Sequence, residues 1–379
     1  MSSVSDYYMT KLGITGELAV LRAARPAPFS NEYVSRELKS MTERKLIHTY
    51  RSADGIKVYR LSDPAGYIEI GKLSPSLLKH TEMVVGENGR RYPGNSNIRA
   101  KKVRDAAVVA MMADIGMPVD GINLQTGSII NECTSLNGVI SKMEPEGTFY
   151  LSGSLLRKSE DGDYHTRREL TTSAGILVSP GGIYQTYAPI SEQVRFKPVI
   201  DTDITMQIRR LCEEWHVRQE DGDQRMRAIL YPHRTKIAVK LQESQKKQSF
   251  LNPTSTYKMC YVVPKDQNAL DVTKMLTFED WFSKIFSIIR EGMGIKVHDY
   301  YDGITRDGKP IYNLLCNNIG KIEELRYQIE NKKAVFLVHD WQKDVIEEAY
   351  NTKLDAITIN ETQFKGLLSY VEEMTREER

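Results

Sequence analysis

No run of apolar residues in this 379-residue chain approaches the roughly eighteen needed to cross a bilayer. The opening MSSVSDYYMTK also lacks the basic-then-apolar pattern of a secretory leader. Together these absences predict a cytoplasmic protein with no membrane partner. Cysteine is sparse: Cys133, Cys212, Cys260 and Cys316 lie far apart with no CxxC spacing, which predicts reduced core thiols rather than a zinc site or a disulfide framework. A glycine-rich phosphate loop is missing too. Ile237-Ala238-Val239-Lys240 resembles a kinase lysine strand only in letters, because no such loop precedes it. His298-Asp299 and His339-Asp340 each fall where a strand should end, and no further His/Asp set is spaced to complete a metal shell. Asp201 and Asp203 stand close together, but no strand follows with a carboxylate two residues before a lysine, as a two-metal nuclease would require. No cofactor, metal or catalytic residue is therefore expected.

What the chain does have is a polarised charge. Residues 1–110 hold 18 Lys/Arg against 11 Asp/Glu, a surplus of seven, so a whole-chain net charge of +2 leaves about −5 for the remainder. A basic N-terminal segment fits an anionic partner such as nucleic acid. Hydrophobic residues at 40% and charged residues at 27% are those of an ordinary folded protein, long enough for more than one domain.

The most informative stretch is residues 30–61, SNEYVSRELKSMTERKLIHTYRSADGIKVYRL. Ser30 is a good N-cap, Glu32 sits in the first turn, and Val34, Leu38 and Met41 recur at helical spacing, so one face of a helix is buried. The other face carries Tyr33, Arg36, Lys39, Ser40, Glu43 and Arg44, with Asn31 at the start. Residues 48–51 and 56–61 read as strands joined through Ser52-Ala53-Asp54-Gly55, and Asp-Gly is a strong hairpin signal. Helix then hairpin predicts a winged helix. In that arrangement Asn31, Tyr33, Arg36, Lys39, Ser40 and Arg44 would face DNA, with Arg51, Lys57 and Arg60 on the wing as positioning contacts. A second basic segment, Arg90, Arg91, Arg99, Lys101, Lys102 and Arg104, leads into an apolar run, and Arg99, Lys101 and Lys102 are assigned to phosphates beside the wing. Upstream, Ile14, Leu18 and Leu21 predict a helix over residues 15–24 stopped by Pro26 and Pro28.

Beyond the hairpin, the patterning predicts a loop over 86–97, a helix over 98–115, and strands over 149–156, 175–179 and 183–188. A helix over 201–220 follows. Strands are predicted over 226–231, 257–263 and 334–338, and helices over 276–289, 319–330, 342–350 and 361–374. A further hairpin is predicted between 294–300 and 310–315. This alternation predicts a mixed sheet covered by helices. The expected architecture is thus a mixed α/β chain, with a winged-helix domain over 1–85, a helix plus strand-rich segment over 98–200, and a larger α/β domain over 201–379.

The runs SRELKSMTERKLIHTYR and DGIKVYRL resemble the N-terminal winged helix of the replication-relaxation family, DNA-associated proteins of bacterial plasmids and conjugative elements. Leu38, Met41, Leu46 and Ile47 match its leucine-rich helix end, and Tyr59-Arg60-Leu61-Ser62 its closing strand. Lys45 departs from the pattern, standing where that family usually has glycine, and so does Asp63-Pro64-Ala65. The resemblance implies double-stranded DNA as partner, in replication, transfer or gene control of a mobile element. Homodimerisation and a protein partner for the α/β domain complete the expectations. An α/β nuclease-like enzyme delivered by the winged helix, and an adaptor whose winged helix binds protein, are the rival readings.

Overall fold

Ser3 accepts the Asp6 amide at 3.1 Å and so opens the first helix, α1 (Val4–Thr15). The computed structural model describes residues 3–19, 30–52, 55–85, 96–144, 147–159, 172–189, 194, 196–215, 227–244, 257, 259–264 and 268–377. Its helices alternate with strands paired both parallel and antiparallel, a mixed α/β fold. The chain divides into two compact units, Met1–Val178 with Val199–Gln219, and Ser179–Pro198 with Glu220–Arg379. No helix among the described residues is long and apolar enough to cross a membrane.

In the first unit every residue of α1 from Tyr8 to Thr15 is buried, including Lys11. Gly16, at φ +72°, ends the helix by returning its N–H to Leu12 O at 2.7 Å. The predicted helix over 15–24 is therefore wrong from its first residues. Past Gly16 the chain extends into β1 (Glu17–Ala19), where Leu18 is buried in a strand; residues 20–24 lie outside the described residues.

Helix α2 (Asn31–Glu43) forms where its pattern placed it. Ser30 Oγ accepts the Tyr33 N–H at 3.3 Å, and Val34, Leu38 and Met41 are buried. Its end is a Schellman closure: Lys45 N–H bonds Thr42 O at 3.0 Å, Leu46 N–H bonds Met41 O at 2.9 Å, and Lys45 takes φ +59°. Strands β2 (Ile47–Arg51) and β3 (Lys57–Leu61) pair in register from Ile47 opposite Leu61 to Arg51 opposite Lys57, as the hairpin reading expected; Ala53 and Asp54 lie outside the described residues. β1 adds to the far side of β3, giving the antiparallel order β1-β3-β2.

Helices α3 (Ala65–Leu73) and α4 (Pro75–Val85), which the sequence reading passed over, follow directly. Gly66 lets α3 press onto the end of α2, for a Cβ there would fall 2.4 Å from Leu46 O. Helix α5 (Ser96–Asp114) matches its prediction. α6 (Leu136–Ile140), β4 (Phe149–Ser152), α7 (Gly153–Lys158), β5 (Gly175–Ser179) and α8 (Pro198–Glu214) complete the unit's elements. The predicted strand over 149–156 stops at Ser152, whose hydroxyl caps α7 by accepting Leu155 N–H at 3.1 Å.

The second unit holds three parallel strands, β6 (Gly182–Tyr187), β7 (Arg227–Leu230) and β8 (Met259–Val262), with α9 (Thr235–Ser244) crossing between the last two. Ile237–Lys240 therefore lies in a helix, not in a strand of kinase type. α10 (Asn268–Leu276) was not predicted, while the helix predicted over 276–289 forms as α11 (Trp281–Met293), starting after Asp280, which turns left-handed at φ +51°. β9 (Gly303–Ile304) pairs antiparallel with β10 (Pro310–Asn313), so the predicted partner strand over 294–300 is displaced to 303–304. The helix predicted over 319–330 breaks at Leu325 into α12 (Ile319–Glu324) and α13 (Arg326–Glu330). β11 (Val335–His339), α14 (Asp340–Tyr350), β12 (Ala356–Ile359) and α15 (Glu361–Glu377) finish it, in the sheet order β12-β11-β10-β9.

Apolar residues of α9, α12 and α14 pack between β7 and β8 on one side and Phe336 and Val338 of β11 on the other. The edge of β8 is covered by Asn317 and Asn318: Val262 N–H donates to Asn317 O at 3.1 Å, and Asn317 Nδ2 donates back to Val262 O at 2.7 Å.

Two predictions arise from the first unit. Lys11 is wholly buried, with its ammonium 2.5 Å from Asp114 Oδ1, and Tyr7 donates to the same oxygen at 3.0 Å. Asp114→Asn strands that charge and is expected to cost about 3–5 kcal/mol in denaturant unfolding, whereas Lys11→Met with Asp114→Leu loses far less. Lys45→Gly relieves a left-handed side chain and is expected to raise stability by about 1 kcal/mol, seen as a higher melting temperature.

Candidate nucleic-acid interface

The apolar stripe of α2 turns inward, so Tyr33, Arg36 and Lys39 are exposed and Ser40 half-exposed on the opposite side. Asn31 opens the helix, and its side chain lies outside the described residues. The basic groups here are accompanied by acids. Lys39 approaches Glu43 at 3.8 Å and Arg44 bonds Glu37 at 2.9 Å, both near the surface where such pairs are weak and easily exchanged. Arg51 and Lys57 face each other across the hairpin and are exposed. Arg51 Nη1 donates to Gly55 O at 3.1 Å, bracing the turn, and the Lys57 ammonium lies 6.0 Å from the Tyr59 ring centre.

Arg60 sits differently from the wing contact the sequence suggested. It is half-buried in the central strand, opposite Glu17 on β1 and His48 on β2. Burial and then Arg60 hold His48 below its ordinary range. Burial pushes Glu17 up, opposed by the Tyr50 hydroxyl, which donates to it at 2.6 Å, and by Arg60 and Lys102. Lys102 is half-buried, drawn down by burial and by Lys158, Arg157 and Arg60 against the pull of Glu17. Lys101 pairs with Asp105 one turn along α5, and the side chain of Arg99 lies outside the described residues. Arg60 and Lys102 thus both act on Glu17, and Arg157 and Lys158 of α7 act on Lys102. The sequence reading missed these two because it carried a strand through the turn where α7 begins.

Two buried polar groups define what the rest of the molecule offers. In the first unit Asp120 receives Ser152 Oγ at 2.6 Å and Ser152 N–H at 2.7 Å, and its Oδ2 lies 2.9 Å from His80 Nε2. All three residues are buried. The carboxylate stands between the hydroxyl and the imidazole, unlike a serine–histidine–aspartate triad in which the imidazole meets the hydroxyl, and the set ties α4 to the start of α7. In the second unit His339 ends β11, stacks on Trp341 at 5.5 Å and meets the edge of Phe364 at 4.4 Å. Asp340 beside it is exposed, so the pair does not converge on a common ion. His298 lies beyond any strand, stacked on Tyr301. Asp201 is buried while Asp203 is exposed on α8. Among the described residues no three His, Cys, Asp or Glu side chains gather as metal donors. All four cysteines are buried, and burial pushes the Cys260 and Cys316 thiols up.

No family model, curated protein or solved structure matches this chain.

Burial holds the His339 imidazole at a pKa of about 3, so the native state keeps it neutral while the unfolded chain takes a proton near pH 6.5. The stability it contributes is complete above about pH 6.5 and is lost as the pH falls from there towards 3. His339→Phe is expected to flatten that part of the stability profile, measured by urea unfolding at stepped pH.

Proposed function

We propose that residues 1–85 are a winged helix that binds double-stranded DNA, with α2 entering the major groove and the β2–β3 hairpin lying against the flanking backbone. The observation that carries this reading is the placement of α2. It directly precedes a hairpin within the order α1-β1-α2-β2-β3, the sheet order is β1-β3-β2, and its apolar stripe leaves Tyr33, Arg36 and Lys39 outward. Those side chains reach phosphates and base edges when such a helix docks, and Arg51 and Lys57 are placed for phosphates alone. The basic surplus of the first 110 residues supports the same partner. Resemblance to the replication-relaxation family supplies the setting: replication, transfer or gene control of a mobile element.

A second reading has its own observation. The polar surface of α2 alternates acids with its bases, Glu32, Glu37 and Glu43 beside Arg36, Lys39 and Arg44, and such a balanced face also suits a protein partner.

Salt separates the two. Fluorescence anisotropy of the full chain against a random duplex pool is expected to show affinity falling steeply between low and physiological salt. Arg36→Glu with Lys39→Glu should weaken binding about tenfold or more. Intact affinity in that double variant removes α2 as the reader, and no binding at low salt leaves the protein-docking reading in front. DNA cut in the presence of Mg²⁺ would instead point to a nuclease.

A further inference from the structure

We propose that Arg36 is the residue of α2 that reads sequence, its guanidinium donating to O6 and N7 of a guanine in the major groove while Lys39 and Arg44 hold phosphates on either side. The inference deepens the DNA-binding reading above and rests on it.

Helical geometry singles Arg36 out. Val34, Leu38 and Met41 define the buried stripe. At about 100° of rotation per residue, Arg36 lies about 200° from both Val34 and Leu38, on the line of α2 opposite the core. Lys39 is turned about 60° from Arg36 to one side, and Arg44 about 80° to the other. A helix seated in a groove meets the floor with its outermost line and the walls with its flanks. Base edges form the floor of the major groove and phosphates its walls, so the three cations divide between the two.

Two further features place a base rather than a phosphate under Arg36. The outermost line also carries Glu32 and Glu43, both exposed. They stand about 6 and 10 Å from Arg36 along the axis, one towards each end of the helix. Carboxylates there repel phosphate oxygens, whereas on the groove floor a carboxylate accepts from the amino group of cytosine. The second feature is the state of the guanidinium. Glu43 and Glu37 engage Lys39 and Arg44, whereas Arg36 is exposed and makes no ion pair or hydrogen bond among the described residues. Its planar fork of donors is unspent, and it matches the paired acceptors O6 and N7 that guanine presents in the major groove. Arg36 also stands in the N-terminal half of α2, the part of a recognition helix that reaches base edges.

The test begins with selection of binding sites by the full chain from a random duplex pool, and a guanine is expected to be fixed in the selected site. Replacing it with 7-deazaguanine keeps Watson–Crick pairing and removes the N7 acceptor. This should weaken binding by the wild type about tenfold. Arg36→Gln, measured at low salt, should bind the two duplexes alike. Lys39→Gln should weaken both equally, keep the ratio between them, and flatten the slope of log affinity against log salt by about one. The deazaguanine comparison uses the unaltered protein, so it stands even if a variant folds poorly. A selected site with no fixed guanine, a 7-deazaguanine duplex that binds as well as its parent, or a ratio that survives Arg36→Gln would each overturn Arg36 as the reader and leave DNA binding standing. A wild type that fails to bind duplex at low salt would overturn both.

Discussion

A lysine with no access to water sets the terms for the first unit. An ammonium as buried as that of Lys11 is tolerable only against a carboxylate that is itself held in place, and Asp114 at the end of α5 is that carboxylate. The pair fixes where α1 meets α5, and α1 is the helix on which α2, α3 and α4 also pack. Because β1 leaves α1 after a single glycine, the position of the three-stranded sheet follows from the same anchor. Burial works against the lysine's charge while Asp114 sustains it, so one matched pair adds a directional contact to the apolar packing of these helices.

From that anchor the chain sorts its charge into two kinds of surface. On α2 acids and bases alternate and remain exposed, so neighbouring pairs exchange with solvent and a docking partner meets side chains that reorient easily. Near Glu17 the bases Arg60 and Lys102 are half-buried, while on α7 Arg157 and Lys158 donate to the backbone carbonyls of Ser173 and Met83.

What was legible in the sequence was what is local. The stripe of Val34, Leu38 and Met41, the Ser30 cap and the two strands of the hairpin depend on residues a few positions apart, and they formed as read. Lys45 stood out as a departure from a glycine pattern, and its left-handed backbone explains why glycine suits that place. Features decided at a distance stayed hidden. Glu17–Ala19 is too short to show an alternation, and β3 makes it a strand. Phe149-Tyr150-Leu151 and Leu155-Leu156 flank Ser152-Gly153-Ser154, and the Ser152 cap that ends the strand there is bound to Asp120 from far along the chain. β12 is short and only partly buried, and its identity comes from pairing with β11. The candidate site followed the same rule: α2 and the hairpin were visible, and the α7 bases that act on Lys102 were not.

The covering of β8 by Asn317 and Asn318 carries a meaning for assembly. A strand whose outward amide and carbonyl groups are free will accept a strand from any passing chain, which is how sheets grow into fibres. Here the chain caps its own strand, with backbone and side chain of Asn317 both spent on Val262. Two copies that met along this border would find its hydrogen-bonding groups at Val262 already taken. Growth of the sheet by a further strand is closed off at Val262 by a local device rather than by repulsion.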